Sequence, residues 1–139
     1  MKPNAKELLK IAEKARLCSY SPYSDFAVGA ALLCSDGSIY EGCNIESASY
    51  TPTCCAERVA IFGAISEGKR DFEAIAVVGG KKGSDAQNFC YPCGVCRQVL
   101  SEFCAPQMKI ILTSGSDLLE LTLGELLPYT FKLDTDGEK

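Results

Sequence analysis

Thr53-Cys54-Cys55-Ala56-Glu57-Arg58 follows Pro52 and opens a run of helix-forming residues that continues through Val59, Ala60, Ile61, Phe62, Ala64 and Ile65. After Arg58 the run is nearly all apolar, the pattern of a buried helix, and Gly68 stops it. A second stretch, Pro92-Cys93-Gly94-Val95-Cys96-Arg97, opens another helix, with proline at its entry. There Cys96, Val99, Leu100 and Phe103 recur at i, i+3, i+4 and i+7. One thiol therefore continues the apolar stripe of that helix.

Outward from these helices the chain alternates in kind. Ala5, Leu8, Leu9, Ala12 and Ala15 fall at helical spacing, so residues 4–18 read as an amphipathic helix. Asn4 and Glu7 have capping-box spacing at its start. Residues 26–33 are a continuous small-apolar run, which suits a strand buried on both faces. Turn residues 35–38 lead into a second strand over 39–43. Further strands are expected over 74–78, 109–113 and 118–122, with a short helical turn over 124–127. Residues 79–91 read as a loop and 134–139 as a frayed polar tail. The order α-β-β-α-β-α-β-β predicts one α/β domain over residues 1–139, layered around a mixed five-stranded sheet.

Composition bounds the partners. With 139 residues, 47% apolar and 23% charged, the chain has the balance of a globular domain with room for a core. Its formal net charge of −4 has the wrong sign for neutralising phosphates, so a small molecule is expected and a nucleic acid is not. Nine cysteines is an odd count, whereas a secreted disulfide framework is usually even. Residues 1–16 carry charge throughout and lack the apolar run of a signal peptide, and no stretch approaches a membrane span. A cytoplasmic protein with thiols free for metal is the expectation. There is no histidine, so catalysis must run on carboxylates, thiols and metal.

A Cys-x-x-Cys at a helix start, joined by a distant Cys-x-Glu, supplies three thiolates to a tetrahedral ion and leaves the fourth position to water. Alone, the Cys-x-x-Cys would also suit a redox pair or two core thiols. Cys90, Cys93 and Cys96 form the start of an iron–sulfur run, but that pattern wants a fourth Cys three residues on, and here the next is Cys104. Cys90 reads instead as a loop or core thiol, as do Cys18, Cys34, Cys43 and Cys104. The expected cofactor is one zinc ion per chain on Cys55, Cys93 and Cys96. Cys55 is preferred to Cys54 because it lies three residues before Arg58, which puts a guanidinium beside the thiolate, whereas Cys54 is spaced toward Glu57. Two helix N-termini and Arg58 would offset the negative charge of three thiolates. Glu57 is either a first-turn residue complementing the helix dipole or, beside the metal, the group that moves protons.

Cys55-Ala56-Glu57-Arg58 and Pro92-Cys93-Gly94-Val95-Cys96-Arg97-Gln98-Val99 resemble the motifs of the zinc-dependent deaminases. From about residue 5 to Phe131 the chain resembles the small, all-cysteine cytidine deaminases. The stretches that carry this are Pro22-Tyr23-Ser24-Asp25-Phe26-Ala27-Val28-Gly29-Ala30-Ala31, Gly42-Cys43-Asn44-Ile45-Glu46-Ser47-Ala48-Ser49-Tyr50 and Leu126-Leu127-Pro128-Tyr129-Thr130-Phe131. The resemblance implies a three-layer α/β/α fold. It also implies a hydrolase of pyrimidine salvage that deaminates cytidine and 2′-deoxycytidine, with Glu57 as its proton shuttle. By the same resemblance Phe26 packs on the pyrimidine, Asn44 and Glu46 hold the ribose 3′-hydroxyl, and the backbone of Ala56 reads the base carbonyl. The chain would form a homotetramer in which Tyr50 and Phe131 approach a neighbouring subunit's site. Loop 79–91 is longer than the family pattern, and Cys90-Tyr91 is bulkier. Three rivals stand beside this reading: a deaminase of an aminonucleoside antibiotic such as blasticidin S, a nucleic-acid editor, and a non-catalytic zinc module. The last would need Cys54 or Cys90 as a fourth ligand.

Overall fold

The Glu7 amide donates to Asn4 Oδ1 at 2.9 Å, and the Asn4 amide donates to Glu7 Oε1 at 2.8 Å. This reciprocal cap starts α1 (Ala5–Ala15) where the sequence predicts it. The computed structural model describes residues 2–133, so the tail expected over 134–139 lies outside the described residues. A short 3₁₀ turn, Arg16–Cys18, follows α1. Then come β1 (Phe26–Cys34), β2 (Ile39–Cys43), α2 (Ala56–Ser66), β3 (Phe72–Lys81), α3 (Gly94–Phe103), β4 (Lys109–Thr113), β5 (Leu118–Thr122) and α4 (Leu123–Leu126).

The strands form one sheet in the order β2-β1-β3-β4-β5. Only β3 and β4 are parallel, and α3 makes their crossover; the other neighbours are antiparallel. Alternate residues of the sheet face opposite ways and bury against different helices. Ala31, Leu33, Ala76 and Val78 meet Leu8, Leu9 and Ala12 of α1. On the other face, Ala30, Leu32, Ile75 and Val77 meet Ala60, Ile61 and Ala64 of α2 and Leu100 of α3. The result is the expected α/β/α layering, and burial on both faces explains why β1 is apolar without alternation. Among the described residues, no helix is long and apolar enough to cross a membrane.

Two sequence expectations change. β3 does not end at Val78, because Gly79, Gly80 and Lys81 continue it by pairing with Val28, Ala27 and Phe26. The glycines are there for space: a Cβ on Gly79 would stand 2.6 Å from Cys90 Sγ and 3.0 Å from a ring carbon of Phe26. The loop expected from residue 79 therefore begins after Lys81. Nor is α2 buried all round. Ala56, Glu57, Ala60, Ile61 and Ala64 are buried, while Phe62 is 46% exposed.

Gly42 fixes where α2 begins. A Cβ there would meet Ala56 O at 2.3 Å and Ala60 N at 2.7 Å, both backbone atoms of the first turns of α2. Neither can move aside as a flexible side chain would. Gly42→Ala is expected to cost about 1–3 kcal/mol of stability, read as a lowered denaturant midpoint; an unchanged midpoint would mean that α2 is free to shift.

Candidate active site

Cys55 and Cys93 occupy equivalent places on two helices, each being the cap residue just before the first turn of α2 or α3. Cys93 is thus outside α3, where the spacing alone would set it on one helical face with Cys96. The Cys96 amide donates to Cys93 Sγ at 3.4 Å, and Cys96 itself is buried. Cys55 Sγ and Cys93 Sγ are 3.8 Å apart, and Cys93 Sγ and Cys96 Sγ 3.4 Å. Zinc bound at about 2.3 Å to each thiolate of a tetrahedron separates its sulfurs by roughly 3.8 Å. The donor set therefore fits the ion. Among the described residues, the group of potential ligands comprises these three and no fourth Cys, Asp or Glu. Cys54 is not in it; its backbone pairs with Ile45 through two hydrogen bonds of 2.9 Å.

Charge is arranged around the sulfurs. Arg58 Nη2 donates to Cys55 Sγ at 3.4 Å, as the three-residue spacing predicts. A hydrogen bond from Cys96 lowers the Cys55 thiol to about 5; burial opposes this, and Arg58 and Cys93 assist. The same hydrogen bond, with burial, pushes Cys96 up, and the bond to Cys55 raises Arg58. Glu57 is 4% exposed, unlike an ordinary surface residue of a first turn. Burial, reinforced by the Cys55 charge, pushes it up to about 7.

A cavity of about 270 Å³ opens onto this cluster, lined by Phe26, Asn44, Glu46, Cys55, Ala56, Glu57 and Cys93. Cys96 lies behind them. Asn44 Oδ1 accepts from the Val28 amide at 2.9 Å and Ser19 Oγ at 2.5 Å, and Asn44 Nδ2 donates to Phe26 O at 2.8 Å. One Nδ2 hydrogen remains. Glu46 Oε1 accepts from the amides of Tyr23 and Ser24 at 3.0 and 3.2 Å, and Oε2 accepts from Ser24 Oγ at 2.5 Å. These bonds, the hydroxyl first, lower the Glu46 carboxyl below its usual range. The two side chains thus present the cavity with one spare donor and one spare acceptor.

Ser24, Thr53, Cys90 and Tyr91 also line the cavity. The sequence reading assigned no role to Ser24 or Thr53, because a small hydroxyl in a turn gives no signal until its partners are known. Tyr50 and Phe131 are not brought to this chain's own cavity. They are 75% and 68% exposed, and Tyr50 has a φ of 64°. The Phe131 carbonyl accepts from Gln98 Nε2 on α3 at 3.2 Å.

Three thiols at zinc spacing and a buried carboxylate, gathered at two helix starts on one face of the sheet, mark a hydrolase of the deaminase kind. The chain belongs to the cytidine and deoxycytidylate deaminase family, whose zinc-binding region matches residues 2–112. It is 48% identical over 129 residues to the cytidine deaminase of Sporosarcina psychrophila, covering 92% of this chain and 91% of that one. It is 51% identical over 125 residues to the cytidine deaminase of Halalkalibacterium halodurans, covering 89% and 91%. The crystal structure of cytidine deaminase from Burkholderia pseudomallei superposes with a TM-score of 0.86 at 42% identity, over 93% of this chain and 100% of that one. A blasticidin-S deaminase of Bacillus cereus is more distant, at 30% identity over 128 residues, 90% of each chain.

The choice between adjacent thiols is open to a direct check. Cys55→Ala is expected to lose its zinc, while Cys54→Ala keeps about one ion per chain, as read by elemental analysis of the purified variants. The opposite outcome would transfer the ligand role to Cys54.

Proposed function

We propose that this chain is a zinc-dependent hydrolase converting cytidine and 2′-deoxycytidine to uridine and 2′-deoxyuridine with release of ammonia. One observation carries the reading. Three sulfurs at zinc spacing and a buried carboxylate adjoin a single cavity that also presents Phe26, Asn44 and Glu46. Cys55, Cys93 and Cys96 hold one zinc per chain. Zinc bound there supplies a Lewis acid that makes water nucleophilic at neutral pH.

Glu57 then takes a proton from the attacking water, and burial raises its affinity for that proton. It passes that proton to the pyrimidine ring nitrogen, then takes the second proton from the hydroxyl now on the ring carbon and gives it to the departing amine. A carbon–oxygen bond forms at the amine-bearing ring carbon, the carbon–nitrogen bond breaks, and ammonia leaves. Phe26 packs on the base, and the Ala56 backbone reads its carbonyl. Arg58 and the two helix N-termini offset the charge of the sulfurs. Asn44 has one donor to spare and Glu46 one acceptor, which together match a single hydroxyl, the 3′. A second hydroxyl meets no partner in this pair, so cytidine and 2′-deoxycytidine both fit.

The same reading makes residues 1–139 one catalytic domain of a cytoplasmic homotetramer serving pyrimidine salvage. The exposed rings of Tyr50 and Phe131, away from their own cavity, suit residues that complete a neighbouring subunit's site. The net charge of −4 disfavours a nucleic-acid substrate. A non-catalytic zinc module would need a fourth ligand beside the trio. The Asn44 and Glu46 pair and the higher identity to cytidine deaminases favour cytidine over a blasticidin-type substrate.

Glu57→Gln keeps the size of the side chain and removes its basicity. It is expected to retain zinc and lose about 10²–10⁴-fold in turnover, followed by the ultraviolet absorbance of cytidine. Full activity in that variant would remove Glu57 from the chemistry.

A further inference from the structure

The turn that precedes β1 carries a hydroxyl that none of these roles uses. Ser24 Oγ donates to Glu46 Oε2 at 2.5 Å and accepts the Phe26 amide at 3.1 Å. The direction of both bonds is fixed chemically, since an ionised carboxylate only accepts and an amide N–H only donates. One hydroxyl therefore joins the carboxylate of the sugar grip to the backbone of the aromatic that meets the base. Ser24 itself lines the cavity.

The backbone between them is unusual. Asp25 has a φ of 58°, which L residues other than Asn and Asp rarely adopt. Its amide donates to Ser21 O at 3.0 Å, and its carbonyl accepts from the Lys82 amide at 2.8 Å. Such a conformation persists where neighbours over-determine it, and it is a recurring mark of functional sites. Here it turns the chain so that Ser24 Oγ reaches both Glu46 and the Phe26 amide.

We propose that Ser24 is a positioning residue for the nucleoside. Its hydroxyl pins the one spare acceptor of Glu46 in register with Phe26, so that sugar and base are gripped at a fixed separation. This rests on the reading that the cavity takes a nucleoside through Glu46. Without the hydroxyl, Glu46 Oε1 stays held by two amides but Oε2 loses the one tether it has among the described residues. The Phe26 amide also loses its acceptor. Both losses act on binding before and during reaction alike, which moves KM and leaves kcat.

The test is steady-state deamination of cytidine by zinc-loaded wild type, Ser24→Ala, Ser24→Thr, Glu46→Ala and the Ser24→Ala/Glu46→Ala double variant. Ser24→Ala is expected to raise KM about ten-fold with kcat within about two-fold, and Ser24→Thr, which keeps the hydroxyl, to restore KM. In the Glu46→Ala background the serine change should raise KM clearly less than in wild type, because only its bond to the Phe26 amide is left to lose. An unchanged KM in Ser24→Ala overturns the proposal, as does a fall in kcat at constant KM or a full effect in the Glu46→Ala background. Should Ser24→Ala fail to fold, Ser24→Gly, which also removes the hydroxyl, carries the same expectation. A wild-type chain with no turnover of cytidine would overturn the functional reading and this proposal with it, whereas active wild type with an indifferent Ser24 overturns this proposal alone.

Discussion

Three sulfurs cannot share one small space unless positive charge meets them there. In this protein two helices point their amino ends at that space, with Cys55 capping α2 and Cys93 capping α3. The partial positive charge of each helix end therefore faces the sulfurs, and in α3 the Cys96 amide bonds Cys93 Sγ directly. Arg58 adds a full charge to Cys55. This convergence turns three scattered cysteines into a ligand set, and the remainder of the fold can be understood as what holds the two helix starts together.

The sheet does that holding. α2 and α3 lie on one face of β1, β3 and β4 and share one core. The β3-α3-β4 crossover delivers Cys93 and Cys96, while Gly42 in β2 lets the first turns of α2 settle close enough to deliver Cys55 and Glu57. Glu57 is buried there, and burial, with the Cys55 charge beside it, raises its proton affinity. Gly79 performs a parallel service on β3, giving room to Cys90 and the Phe26 ring at the wall of the cavity. Close backbone approach, allowed by absent Cβ atoms, is thus what sets the distances of the site.

Most of the architecture was legible from periodicity and caps. Asn4 with Glu7, the strands 39–43, 109–113 and 118–122, and the apolar stripe of α3 stand where sequence places them. The extension of β3 was not legible, because paired glycines have the signature of a loop until the side chains that need their space are seen. Cys93 looked like a helical residue but caps the helix instead, a difference of one position that spacing cannot resolve. Ser24 and Thr53 were silent for another reason: short hydroxyls act through partners distant in sequence. The exposed ring of Phe62 and those of Tyr50 and Phe131 have no burial within one chain that a single sequence could reveal.

What unites fold and chemistry is an incomplete ligand set. Among the described residues three potential ligands cluster where four would close an ion off, and a buried carboxylate and an open cavity adjoin them. The most direct measurement is zinc content per chain alongside the absorbance change of cytidine, before and after stripping with a chelator and after restoring the metal. The account predicts about one zinc per chain, activity lost with the ion and regained with it. Deamination by fully stripped protein, or an ion held by four side chains, would contradict it.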